Sequence, residues 1–177
     1  MAFLVRKLNK MDRLSVLAET PDVNKLYADI PTTEFRTTEG SLSTWIIESL
    51  DKINEAVLAI AITSSKISKM DFIIIDTELL SKYQLEYKQT YAGEDIAVPD
   101  LQDTHYDILN ISVEKLAVCT KVYQAIVCED PDCEKYIVRL AAGEVKDILR
   151  EAFKNDRIDE SKIPSNLEKE LSKLKAG

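Results

Sequence analysis

Glycine is scarce in this chain, and the scarcity argues against several classes of enzyme. The 177 residues contain four glycines, at positions 40, 93, 143 and 177. The chain has no G-x-G-x-x-G, G-x-x-x-x-G-K-[ST], G-x-S-x-G or H-E-x-x-H motif. A loop that cradles phosphate groups needs closely spaced glycines. Nucleotide chemistry by the common routes is therefore not expected.

Cysteine and histidine are also sparse. Three cysteines, an odd number, do not form the disulfide framework of a small secreted protein. Cys128 and Cys133 form a C-x4-C pair, but only Cys119 and the single histidine, His105, could complete a tetrahedral zinc site. Cys119 and Cys128 have apolar neighbours at helical spacing, which is typical of small core residues. We expect no zinc site and no cofactor.

Long apolar segments are missing as well. No run approaches the roughly 20 apolar residues needed to span a bilayer. At the start of the chain Arg6 and Lys7 follow a very short apolar run, whereas the charges of a secretory signal precede a longer one. These features predict a cytoplasmic protein that does not enter a membrane.

Negative charge is present in excess and is unevenly distributed. The formal net charge is −8, and residues 41–111 carry twelve acids but only five bases. Such a surface repels nucleic-acid phosphates and attracts basic protein surfaces over about a Debye length. We expect another protein with a basic surface as the partner and no direct nucleic-acid binding. The oligomeric state stays open.

A strand, a helix and a second strand follow one another in the middle of the chain. Residues 44–47 are β-branched and aromatic, residues 53–61 place apolar side chains at helical spacing, and residues 72–75 form an uninterrupted apolar run. This order predicts a βαβ unit over about residues 42–76 in a mixed sheet. The length suits one α/β or α+β domain.

The flanking segments complete the predicted architecture. Residues 2–8 predict a strand, placed at a sheet edge because Arg6 and Lys7 would lie beside solvent. Residues 136–140 favour a strand over the start of a helix. We divide the chain into a core domain, residues 1–155, and a helical extension, residues 156–177. The extension carries an apolar stripe that packs on the parent domain or in a partner's groove, formed by Leu167, Leu171 and Leu174.

Polar residues at three positions predict helix starts, because their side-chain oxygens can accept hydrogen bonds from free backbone N–H groups. Ser49 or Asp51 would cap the helix after the first core strand. Asp76 would cap a helix after the second core strand, and Ser112 would cap a later one.

Residues 83–107 predict an irregular acidic loop that is rich in tyrosine. Tyrosine rings beside carboxylates resemble the composition of protein-binding surfaces, although the rings could equally pack back on the core. The predicted partner-binding residues are Tyr83, Glu86, Tyr87, Tyr91, Glu94 and Asp95.

A second hypothesis assigns the acids and the histidine to a metal. Asp76, Asp103, His105 and Asp107 combine carboxylate oxygens with an imidazole, which can share a divalent ion and supply a general base. The simpler interpretation is that Asp76 caps a helix and that the others belong to a solvated acidic loop.

These observations favour a non-catalytic, cytoplasmic accessory or inhibitory protein of the immunity or antitoxin type, and no catalytic residue is assigned. One alternative is a metal-dependent hydrolase or phosphoesterase that uses the four residues just named. Another is a subunit that is inert alone within a multi-protein enzyme complex. No motif in the sequence assigns a family.

Overall fold

The computed structural model describes residues 2–9, 16, 19–20, 22, 25, 27, 29–92, 96–129 and 133–175. Within these residues one sheet has six strands, in the spatial order β4-β5-β2-β1-β3-β6. The strands are β1 (Phe3–Leu8), β2 (Leu42–Ile47), β3 (Met70–Asp76), β4 (Tyr87–Gln89), β5 (His105–Ile108) and β6 (Ile137–Leu140). The α-helices are α1 (Asp29–Glu34), α2 (Ile53–Ile62), α3 (Thr77–Lys82), α4 (Val113–Gln124), α5 (Ala142–Lys154) and α6 (Ser165–Lys175).

The predicted strand–helix–strand unit is present as β2, α2 and β3, and the fold is α+β. Its two strands run in the same direction, because each pairs antiparallel with β1, but β1 lies between them. Phe3 is opposite Ile47 on one side and Asp76 on the other. Every pairing in the described sheet is antiparallel, so the expected mixed sheet is corrected to an antiparallel one.

The prediction that the first strand lies at an edge was wrong, because β1 is central in the sheet. Phe3, Leu4 and Val5 are all buried, as expected for a strand that is covered on both faces. Arg6 and Lys7 are half-buried near the other end of the strand. Two charged residues at a strand end therefore did not indicate an edge. The strand predicted over residues 136–140 is confirmed as β6.

The segment 83–107 is more regular than expected, since it contains β4, a 3-10 helix at Pro99–Thr104 and all of β5 except its last residue. β4 reads Tyr-Lys-Gln, which lacks the alternating apolar pattern that would predict a strand. Its conformation comes from pairing with β5 rather than from its own side chains. Five apolar residues of the same segment are buried in the core: Leu85, Ile96, Ala97, Val98 and Leu101.

Helices cover both faces of the sheet. On one face, Val5, Trp45 and Phe72 pack with residues of α2, α5 and α6, and on the other, Leu4 and Ile75 pack with residues of α4. The leucine stripe of α6 is buried in the first of these clusters, with exposed fractions of 0%, 1% and 8% for Leu167, Leu171 and Leu174. The C-terminal segment is therefore packed into the core of the rest of the chain.

Two of the predicted helix caps are confirmed. Asp76 Oδ1 accepts a hydrogen bond from the backbone N–H of Glu78 at 2.9 Å, and Ser112 Oγ accepts one from Lys115 at 3.3 Å. Neither Ser49 nor Asp51 caps α2, because a 3-10 turn at Leu50–Lys52 precedes the helix and no side-chain cap forms at either start.

Candidate functional site

Strand register gathers carboxylates at the end of the sheet where β1 begins. Because Phe3 is opposite both Ile47 and Asp76, the residues that follow β2 and β3 lie on either side of the start of β1. Asp103 lies at the same end, since it precedes β5 and β5 is antiparallel to β2. We term this set the acidic end, and its members are Glu48, Asp51, Asp76, Glu78 and Asp103.

The carboxylates of the acidic end are available to solvent. Asp76 is half-buried and the other four residues are exposed. None of the five forms an ion pair with the described residues. A hydrogen bond from the Ser49 hydroxyl lowers the pKa of Asp51, so this group stays ionised. The arrangement is a concentration of fixed negative charge.

Other acids of the middle third are neutralised within the molecule. Arg157 contacts Asp100 at 2.7 Å and also pairs with Glu55, and hydrogen bonds to these two carboxylates, with Glu55 first, raise the pKa of Arg157. Arg139 Nε lies 2.8 Å from Asp71 Oδ1. These pairs fix local structure and contribute little to the external field.

The predicted partner-binding residues do not form one patch. Tyr83 and Tyr87 are half-buried and pack against the cluster on the α4 face, with the Tyr87 ring 6.1 Å from that of Tyr106. Tyr91 is 68% exposed and follows β4 toward the acidic end. Glu86 is exposed at the opposite end of β4, where its carboxylate accepts a hydrogen bond from Asn110. The remaining two predicted residues, Glu94 and Asp95, lie outside the described residues.

The residues of the metal hypothesis are not brought together as a set. His105 is opposite Trp45, and three strand spacings, about 14 Å, separate β5 from β3, which carries Asp76. Asp103 is exposed at the acidic end, whereas Asp107 lies two residues along β5 from His105. No group of three potential ligands with metal-site geometry occurs among the described His, Cys, Asp and Glu residues. Asp76 serves as the helix cap that the simpler interpretation predicted.

His105 instead belongs to a hydrogen-bonded chain. Its Nε2 atom lies 2.7 Å from Ser43 Oγ, and its Nδ1 atom lies 2.9 Å from Thr90 Oγ1. The Trp45 ring packs edge-on against the imidazole, with centroids 5.0 Å apart. Burial lowers the pKa of His105, with Asp107 and Thr90 acting in the opposite direction. The imidazole is therefore neutral near pH 7.

Sequence reasoning did not identify Ser43 and Thr90 as partners of His105. The alternation of β2 places Ser43 and Trp45 on one face, and this much was present in the sequence. The sequence did not reveal that β2 pairs with β5, because β5 begins within the segment that was expected to be irregular. The signal that could have found the cluster is therefore strand register, which a single sequence does not encode locally.

The prediction that Cys119 is a small core residue is confirmed. Cys119 is 3% exposed, and burial raises the pKa of its thiol to about 11, so the thiol is protonated and inert. The side chains of Cys128 and Cys133 lie outside the described part of the structure.

Comparisons with protein-family models, with curated proteins and with solved structures find no match to this chain. Within the described residues, every helix is too short or too polar to cross a bilayer.

Proposed function

We propose that this chain is a non-catalytic accessory or inhibitory protein, of the immunity or antitoxin type, that acts in the cytoplasm by binding a basic surface of another protein. The observation that supports the proposal is the convergence of five carboxylates at the acidic end without an ion-pair partner among the described residues. Unpaired like charges at one end of a rigid sheet cost stability through mutual repulsion. A positively charged partner would relieve that repulsion.

Binding would begin with electrostatic attraction. A concentrated negative field steers a basic surface toward the acidic end and raises the association rate, an effect that salt screens. Tyr91 supports the next step, because its ring is exposed at this end, whereas Tyr83 and Tyr87 are partly covered by the core. Burial of the Tyr91 ring would then slow dissociation.

A subunit that is inert alone within an enzyme complex would use the same surface. The two proposals differ in what the bound partner does, since an inhibitor lowers the partner's activity and a subunit raises it. Assaying the isolated complex and the partner alone distinguishes them.

The test uses variants that change the charge of the acidic end without altering the core. The triple variant Glu48→Gln, Asp51→Asn, Glu78→Gln neutralises three exposed carboxylates. The matched control Glu39→Gln, Glu114→Gln, Glu168→Gln makes the same change of charge at exposed positions elsewhere. Partners are recovered from the native host with the wild-type chain, and association rates are then measured with the purified partner at several salt concentrations.

We expect the acidic-end variant to associate about tenfold more slowly at low salt and to show a flatter salt dependence. The control triple should retain most of the wild-type rate. Equal rates for the two triple variants would contradict the proposal, because they would show that total charge matters and its location does not.

A further inference from the structure

A second charged region lies at the opposite end of the sheet, where β1 ends and β2 begins. Here an open cleft of about 260 Å³ lies on the face covered by α2. We term it the basic cleft, and its lining residues are Arg6, Lys7, Asn9, Ser43, Trp45, Ile60 and Thr63. Its volume is slightly below the range usual for drug-sized ligands, so an occupant would be small.

Lys7 has no counterion in the described structure. Its ammonium group lies 3.5 Å from Ser64 Oγ and forms no ion pair with the described carboxylates. Burial, with a further contribution from the positive charge of Lys66, lowers the pKa of Lys7. A partly desolvated cation beside a second cation is an unfavourable arrangement, which a bound anion would relieve.

The hydrogen-bonded chain behind the cleft can supply a donor. When Nε2 of His105 carries the proton, it donates to Ser43 Oγ, and the Ser43 hydroxyl hydrogen is free to point into the cleft. Nδ1 then accepts from the Thr90 hydroxyl. An anion in the cleft would favour this tautomer over the one in which Ser43 donates to His105.

The other charges near the cleft are mixed. Arg6 adds positive charge and donates to the backbone oxygen of Ser43 at 2.9 Å. The nearby acids are Glu34, whose carboxylate accepts the backbone N–H of Asn9, and Asp107, which is opposite Ser43 on β5. On the next strand Lys88 is opposite Asp107.

We propose that the basic cleft binds a small molecule carrying a compact anionic group, phosphate or carboxylate, with Lys7 and Ser43 holding the anion. The apolar part of the ligand would contact Trp45 and Ile60. This site is independent of the acidic end and of the partner proposed to bind there.

The chain carries two built-in reporters of the cleft. Trp45 is its only tryptophan and His105 its only histidine. Inorganic phosphate, phenyl phosphate and benzoate would be titrated at constant ionic strength, with chloride as the control, while Trp45 fluorescence and the His105 ring ¹⁵N signals are recorded. A saturable response to phosphate and phenyl phosphate alone identifies a phosphate site, and one to benzoate alone identifies a carboxylate site.

Lys7→Met should weaken binding at least about tenfold, since a hydrogen bond to a charged group is lost. It should fold at least as well as wild type, because it removes a partly buried charge. Lys69→Met, at an exposed position that does not line the cleft, should stay within about twofold of wild type. A response that is not saturable for any anion, or that is equal in wild type and Lys7→Met, would overturn the proposal. If Lys7→Met fails to fold, the wild-type chain still tests the proposal, because its His105 signals should change saturably with an anion only if the cleft binds that anion.

Discussion

The acidic end and the basic cleft lie at opposite ends of the same strands, yet their charges meet solvent differently. At the acidic end the carboxylates are mostly exposed and none is paired with a described residue. In the basic cleft, Lys7 is partly buried and lines the same cavity as the buried Trp45. Exposed charges act over distance and are screened by salt, whereas partly desolvated charges act locally and resist screening. One fold can therefore present a long-range electrostatic surface and a short-range binding site without interference between them.

The largest expected effect tests whether the acidic end and the basic cleft belong to one cooperatively folded core. Leu167→Ala removes a fully buried side chain of α6 and should lower the free energy of unfolding by about 2–5 kcal/mol. Trp45 fluorescence reports the cleft and far-UV circular dichroism reports the whole chain, and the two transitions should shift together in denaturant. The control Lys169→Ala changes an exposed position of the same helix. If α6 were an appended segment, the Trp45 transition would not move.

A smaller effect is expected where Arg157 neutralises two acids that are not members of the acidic end. Arg157→Met leaves Glu55 and Asp100 without their shared cation and should lower the free energy of unfolding by about 1 kcal/mol. It also makes the protein more negative, so association with a basic partner should become faster at low salt. The control Arg150→Met breaks the more exposed pair with Asp147. An equal loss of stability in the two variants, measured by denaturant unfolding, would show that the Arg157 pairs are ordinary surface contacts.

The smallest effect concerns pH at the basic cleft. Because burial lowers the pKa of His105 from 6.5, the unfolded chain binds a proton before the folded chain does as the pH falls. His105 should therefore contribute a loss of stability as the pH drops below about 6.5. Melting temperatures at pH 7.5 and 5.5 should differ more in wild type than in His105→Gln. A His105 pKa at or above 6.5 in an NMR titration would contradict this prediction.

Much of the fold was predictable because its signals are local. The apolar run 72–75 and the helical spacing of residues 53–61 gave β3 and α2, and the polar residues Asp76 and Ser112 cap helices as expected. β1 was identified as a strand but misplaced at an edge. Its position depends on which strands pair with it, and the sequence of one strand does not specify its neighbours.

The candidate sites also combined features that were predictable from local sequence with features that depended on strand pairing. The surplus of acids between residues 41 and 111 was evident from composition, but its separation into internal pairs and an exposed acidic end required strand register and the position of Arg157. The predicted tyrosine patch was separated for a similar reason, since β4 directs Tyr87 toward the core and carries Tyr91 to the other end.

Composition and the periodicity of short segments were enough to predict the class of fold, the main helices and strands, and the sign of the net charge. Which charges remain unpaired depends on the three-dimensional packing, which also brings Lys7 and Ser43 to one cleft with His105 behind Ser43. These residues lie far apart along the chain and meet through antiparallel pairing across the sheet. Contacts of that kind depend on the packing of the entire chain, so no short stretch of residues encodes them.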